Sequence, residues 1–211
     1  MARIAEIERT TRETSIALKL NLDGSGEAKL DYPVGFMVHM LTAFARHGLF
    51  DIELRASGDL EVDQHHLVED TGIVLGQCFA RALGERRGIR RVGSCLFPMD
   101  ETLARAAVDI SGRPYLVYEA ELSGIPLVSA PVTGAYGKGG AASFQTDTAH
   151  DFWQGFVSSA GITLHLDILR GRSCHHKLEA LFKAAARSLR EACAIDLASP
   201  DVIPSTKGVL A

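Results

Sequence analysis

The chain lacks most of what would place it outside the globular enzymes. No stretch of its 211 residues approaches the run of about eighteen apolar positions that a membrane-spanning helix needs. Cysteine is sparse: Cys78, Cys95, Cys174 and Cys193 form no C-x-x-C pair, which excludes a zinc knuckle and a disulfide framework. Cationic excess is also missing, since 22 basic residues face 26 acidic ones, and nucleic acid would find no strongly basic field. Any anion site must be local. The N-terminal residues Met1 to Arg9 carry charges where a secretory signal needs apolar side chains, so a cytoplasmic protein is expected. A Gly/Ala/Ser/Thr tract at 129–143 holds a Gly-Lys pair without a phosphate loop's spacing. Gly139 stands where Ser or Thr is required, and Val132 where the first glycine belongs. A surface loop is expected there.

What is present is a core-forming composition, 46% hydrophobic, in alternating strand and helix patterns. Residues 3–20 alternate and lead to the turn-forming Asn21–Gly26, which predicts an opening hairpin. Helical spacing over 36–48 ends at a glycine, a strand follows at 50–57, and a broad apolar helix runs from about 65 to 84. Gly72 and Gly76 interrupt that helix where another backbone can approach. The second part repeats the grammar, with strands at 91–97, 103–110, 114–121 and 161–169 and helices at 148–159 and 174–194. The expectation is an α/β (α+β) protein of two similar sheet-plus-helix halves, 1–90 and 91–211, packed as one unit.

The strongest trace of duplication is also the strongest chemical signal. His65-His66-Leu67-Val68-Glu69 and His175-His176-Lys177-Leu178-Glu179 each open a long helix. Residues three and four apart share a helix face, so each H-H-x-x-E presents two imidazoles and a carboxylate together. One copy alone reads equally well as a solvated helix start whose glutamate favours the dipole. Two copies, with His39 and His165 on further elements, point to a metal. Imidazole with carboxylate and no thiolate fits manganese, iron, nickel or zinc. A second group, Arg91, Ser111-Gly112-Arg113, Lys183 and Ser205-Thr206-Lys207-Gly208, has the cations and hydroxyls that a phosphate monoester requires. Lys183 stands one turn beyond Glu179. Glu13 and Asp100-Glu101 are acids with no evident metal role.

These stretches together resemble the imidazoleglycerol-phosphate dehydratases of histidine biosynthesis. The resemblance runs through Arg12-Glu13-Thr14, His39-Met40-Leu41, Gly58-Asp59-Leu60, both H-H-x-x-E segments, Pro98 to Glu101, Asp109 to Pro114, Gly161 to His165 and Ser205 to Gly208. It implies a cytoplasmic hydro-lyase, a homo-oligomer of twenty-four subunits with two manganese ions per active site. By motif, the ligands would be His39, His65, His66, Glu69, His165, His175, His176 and Glu179. The phosphate would meet Arg91, Arg113, Lys183, Ser205 and Lys207, with Glu13, Asp100 and Glu179 in the proton transfers. Two positions depart from the family's pattern: Val38 replaces an aspartate beside His39, and Ala43 replaces a glutamine. Both changes remove polar groups next to a ligand, so Val38→Asp is expected to tighten metal binding unless the valine is simply core. A metal-dependent hydrolase and a non-catalytic metal-binding oligomer are the competing readings.

Overall fold

A computed structural model describes residues 3–122, 127–128 and 143–210. The first half contains β1 (Ile4–Thr10), β2 (Thr14–Asn21), β3 (Ala28–Asp31), α1 (Gly35–Gly48), β4 (Asp51–Gly58) and α2 (His65–Leu83). The second contains β5 (Val92–Met99), β6 (Thr102–Asp109), β7 (Tyr115–Glu119), the two-residue strands β8 (Leu127–Val128) and β9 (Ser143–Phe144), α3 (Thr148–Ala160), β10 (Thr163–Arg170) and α4 (Cys174–Cys193). The tract expected as a loop thus ends in β9, and residues 129–142 lie outside the described residues.

The two main sheets have one topology. Their strand orders are β1-β2-β4-β3 and β5-β6-β10-β7, and in each only the last pair is parallel. Alternation explains why each sheet has one dry face: Ile16, Leu18 and Leu20 of β2 are buried, as are Ala104, Ala106 and Val108 of β6. Helices cover those faces, and the halves meet helix to helix, α2 against α3 and α1 against α4.

Two backbone features set that meeting. Leu49 and Gly161 end α1 and α3 in the left-handed conformation at φ 55° and 64°, turning the chain into the following strand. At the α2–α3 seam, a Cβ on Gly72 would lie 2.1 Å from the Phe152 carbonyl oxygen, and one on Gly76 2.4 Å from that of Phe156. Only glycine permits so close an approach. Beneath the seam, Phe44, Phe79, Phe152, Trp153, Phe156 and Phe182 form one aromatic cluster shared by both halves. Each fully buried phenylalanine contributes about 1.5–3 kcal/mol relative to an exposed one. Trp153 Nε1 has no partner there, which offsets about 1–3 kcal/mol of that gain. After α4 the chain returns along the first half's end: the Gly88 amide donates to the Val202 carbonyl, and Asp196 N–H to that of Gly88.

Candidate metal centre and anion cavity

The α1–α4 contact builds the tightest polar cluster. Ser173 caps α4 by accepting the His176 amide, which directs His175 and Glu179 along one face toward α1. There His39 Nε2 and His175 Nε2 lie 3.2 and 3.1 Å from Glu179 Oε2, and Lys183 Nζ lies 2.7 Å from Glu179 Oε1. One donor atom each from His39, His175 and Glu179 falls within 4.8 Å of the others. Phe36 meets the His175 ring edge-on and stacks on Phe144, shielding one side. Burial drives the Glu179 carboxyl upward, but hydrogen bonding to Lys183 and His39 outweighs it and leaves the group below its ordinary value. A carboxylate kept ionised beside two imidazoles is a donor set that could hold a metal ion.

The α2–α3 contact builds a related but different cluster. His65 Nε2 lies 3.7 Å from Glu69 Oε2, and its Nδ1 lies 3.2 Å from Asp151 Oδ2. Asp151 stands ten residues ahead of Gly161, as His39 stands ten ahead of Leu49, so an aspartate occupies in one half the place of an imidazole in the other. His66 Nδ1 is 3.0 Å from Asp59 Oδ2, and its Nε2 is 3.9 Å from Glu13 Oε1. His176 Nδ1 is correspondingly 2.8 Å from Glu101 Oε2. Asp59 raises the pKa of His66, and Glu101 that of His176. The Ser173 amide, followed by His176, brings Glu101 down to about 2.

Three expected site residues stand elsewhere. His165 lies on the exposed face of β10, between Ala107 and Val117, because strand alternation turns Leu164 and Leu166 toward the helices instead. It does not join the other imidazoles of this chain. Asp100 forms the β5–β6 turn at φ 48°, and its neighbour Glu101, not Asp100, meets His176. Lys183 is paired with Glu179 and lies over the Phe97 ring at 5.5 Å, outside the cationic cavity.

That cavity, about 390 Å³, is lined by Arg91, Ser111, Arg113, Ser205, Thr206 and Lys207 together with Val209 and Leu210. Arg91 holds the Asp109 carboxylate through two bonds of 2.7 and 3.0 Å and donates to the Pro204 carbonyl at 2.9 Å. Its fork therefore fastens the C-terminal tail, while Arg113, Ser205 and Lys207 line the cavity beside it. Val38 is 2% exposed in the core beside His39, and Ala43 is buried as well. The valine is a packing residue.

Asp59, Glu101 and Asp151 carry no assigned ligand role in the sequence pattern. The first two lie inside the quoted motifs. Asp151 becomes visible only when the ends of α1 and α3 are aligned.

A duplicated sheet-plus-helix protein with imidazole–carboxylate clusters where its halves touch, and a separate oxyanion cavity, is the class defined so far. Residues 33–189 match the family model described as imidazoleglycerol-phosphate dehydratase, and the chain belongs to that family. The imidazoleglycerol-phosphate dehydratase of Lacticaseibacillus casei is 51% identical over 99% of this chain and 100% of its own length. That of Paraburkholderia xenovorans is 48% identical over the same shares. Among solved structures, the Staphylococcus aureus enzyme of the same name has a TM-score of 0.74 at 35% identity, covering 92% of this chain and 99% of its own. The Pyrococcus furiosus enzyme, solved in complex with (S)-C348, has a TM-score of 0.75 at 32% identity, covering 97% and 100%. The family's enzymes are hydro-lyases.

Proposed function

We propose that this chain dehydrates imidazole glycerol phosphate to imidazole acetol phosphate in histidine biosynthesis, with two divalent ions, manganese for preference, at the clusters described. The observation that carries this reading is the convergence of His39, His175 and Glu179 within 4.8 Å in a chain of this family. The donor set at the α1–α4 contact fits the group, since two imidazoles and a carboxylate suit manganese, iron, nickel or zinc; at the α2–α3 contact His65 has one nitrogen for a cation, Nε2 on the Glu69 side or Nδ1 on the Asp151 side. His66 and His176 offer their remaining nitrogens. Bound there, a cation supplies Lewis acidity toward the substrate's ring and departing hydroxyl.

The chain's residues do the rest. Arg113, Ser205 and Lys207 hold the phosphate, while Arg91 keeps the tail that carries two of them in place. Lys183 keeps Glu179 ionised and oriented rather than contacting phosphate. Glu13, exposed beside His66, accepts the proton released when the C–H bond breaks, and Glu13 or Glu179 returns a proton to the departing hydroxyl, so that the C–O bond breaks with loss of water. Asp100 is within the same turn as Glu101 and serves at most in relaying a proton. The enol formed tautomerises to the ketone.

Self-association into the cage implied by the family resemblance completes the reading, in the cytoplasm. Among the described residues no helix is long and apolar enough to cross a membrane. Purified protein with Mn²⁺ and imidazole glycerol phosphate is expected to yield the ketone and lose activity with a chelator. Release of inorganic phosphate instead would establish a hydrolase, and no turnover of metal-loaded protein would establish a binding oligomer.

A further inference from the structure

Asp59 and Glu101 are the two carboxylates at the candidate centre to which no function has been given. Each faces one nitrogen of one histidine, and in both cases that nitrogen is Nδ1: 3.0 Å for Asp59 on His66 and 2.8 Å for Glu101 on His176. The duplication shows that they are not copies of each other. Thr14 and Thr102 are buried equivalents that begin the second strand of each half, so the preceding turn glutamates, Glu13 and Glu101, are the true copies. Asp59 follows the last residue of β4; the residue following β10 is Gly171, which has no side chain to offer. One half orients its second histidine from the β4 end, and the other from the turn.

We infer that Asp59 and Glu101 are positioning residues that hold His66 and His176 as Nδ1–H tautomers, leaving each Nε2 lone pair to a divalent cation, and that Asp59 thereby releases Glu13 for proton transfer. An ionised carboxylate only accepts, so the nitrogen facing it must carry the hydrogen, and the other nitrogen of a neutral ring is then the base. Glu101 is fixed for this task by accepting the Arg172 and Ser173 amides on Oε1, which aims Oε2 at the ring. Among the described residues the Glu13 side chain shows no such fixing contact and meets His66 from the Nε2 side at 3.9 Å. The two copies of one glutamate have parted, one to hold a ligand and one to stand free.

The cation in this inference rests on the proposed metal reading, whereas the tautomers do not, and one experiment separates them. Metal-stripped protein labelled with ¹⁵N-histidine is examined by two-bond ¹H–¹⁵N correlation at about pH 9, where imidazoles are neutral. His66 and His176 are expected as Nδ1–H. In Glu101→Gln the side-chain oxygen stays with the two backbone amides and the NH₂ group turns to the ring, so His176 converts to Nε2–H while His66 does not change. Asp59→Ala removes the preference of His66 alone. Titration with Mn²⁺ alone then shows affinity falling about 10–100-fold in Glu101→Gln. An Nε2–H tautomer at either histidine in the unsubstituted protein, or no conversion in Glu101→Gln, overturns the inference, and the unsubstituted protein decides it if a variant fails to fold. The expected tautomers without any Mn²⁺ binding would overturn the metal reading instead.

Discussion

The two helix-opening clusters are built on one frame and furnished differently. At α4, a buried glutamate is gripped by two imidazoles and a lysine; at α2, the corresponding Glu69 is half-buried and faces one imidazole, with Asp151 beyond it. The position of Lys183 is taken by Ile73, and that of Ala180 by Asp70, which accepts a 2.5 Å hydrogen bond from Thr14 and pairs with Arg9 at the base of the Glu13 turn. Duplication therefore preserved where the groups point and let their chemistry diverge. The α4 cluster is nitrogen-rich around a buried glutamate, the α2 cluster oxygen-rich around a half-buried one, so different affinities for one ion are expected from the two.

The comparison breaks most completely at Glu179. Glu179→Ala should reduce kcat about a thousandfold, roughly 4 kcal/mol of transition-state stabilisation, whereas Glu69→Ala should cost less, as steady-state kinetics of both variants would show. An equal loss would make the clusters equivalent. Gly72→Ala attacks the seam on which both depend: its methyl would fall 2.1 Å from the Phe152 carbonyl, and overpacking of that kind destabilises by about 3 kcal/mol in denaturant unfolding. Val38→Asp should cost about 2 kcal/mol by burying a carboxylate in the core, with no gain in Mn²⁺ affinity in a metal titration followed by thermal melting.

Asp151→His sharpens the contrast by making the α2 cluster resemble the α4 one. Competition titrations should show about tenfold tighter binding of Ni²⁺ or Zn²⁺ at one of two sites, a gain of roughly 1.4 kcal/mol. The smallest effect is a pH dependence in metal-free protein. Glu101 is depressed from 4.5 to about 2, so the stability it contributes is present above pH 4.5 and lost as pH falls through about 2. His176 is raised from 6.5, so its contribution is full below 6.5 and lost as pH rises through its higher folded-state value. Their joint contribution is largest between pH 4.5 and 6.5, and melting temperatures of Glu101→Gln should lack that rise.

Most of the fold was legible. All four helices and most strands of the two sheets follow from period-3.6 and period-2 patterns, with Gly48 and Gly161 near helix ends; the opening hairpin, however, is β1 with β2, turning at 11–13 inside the run expected as one strand, and β3 pairs in parallel with β4 instead of with β2 across Asn21–Gly26. The close approach at Gly72 and Gly76 was legible as well, since glycine inside a broad apolar helix has few other uses. The cationic cavity gathered Arg113, Ser205 and Lys207 as their residue types suggested. The spacing of Lys183 from Glu179 states only that the two share a helix face, and an ion pair satisfies that spacing as well as phosphate binding does. His165 alternates with the buried Ile162, Leu164 and Leu166, and that alternation places it on the outward face of β10.

By itself the sequence determined the duplication, the alternation of buried faces and the two H-H-x-x-E helix starts, all of which are local periodicities. Only the tertiary structure decided which groups meet: α1 lies on α4 and α3 on α2, so His39 joins the second half's glutamate and Asp151 the first half's histidine. The same packing places Asp59 and Glu101 at the imidazole nitrogens. Asp59 stands only seven residues before His66, but His39–Glu179, His65–Asp151 and His176–Glu101 join residues far apart along the chain at 3.2, 3.2 and 2.8 Å, and the packing that brings them together comes from the shape of the whole core.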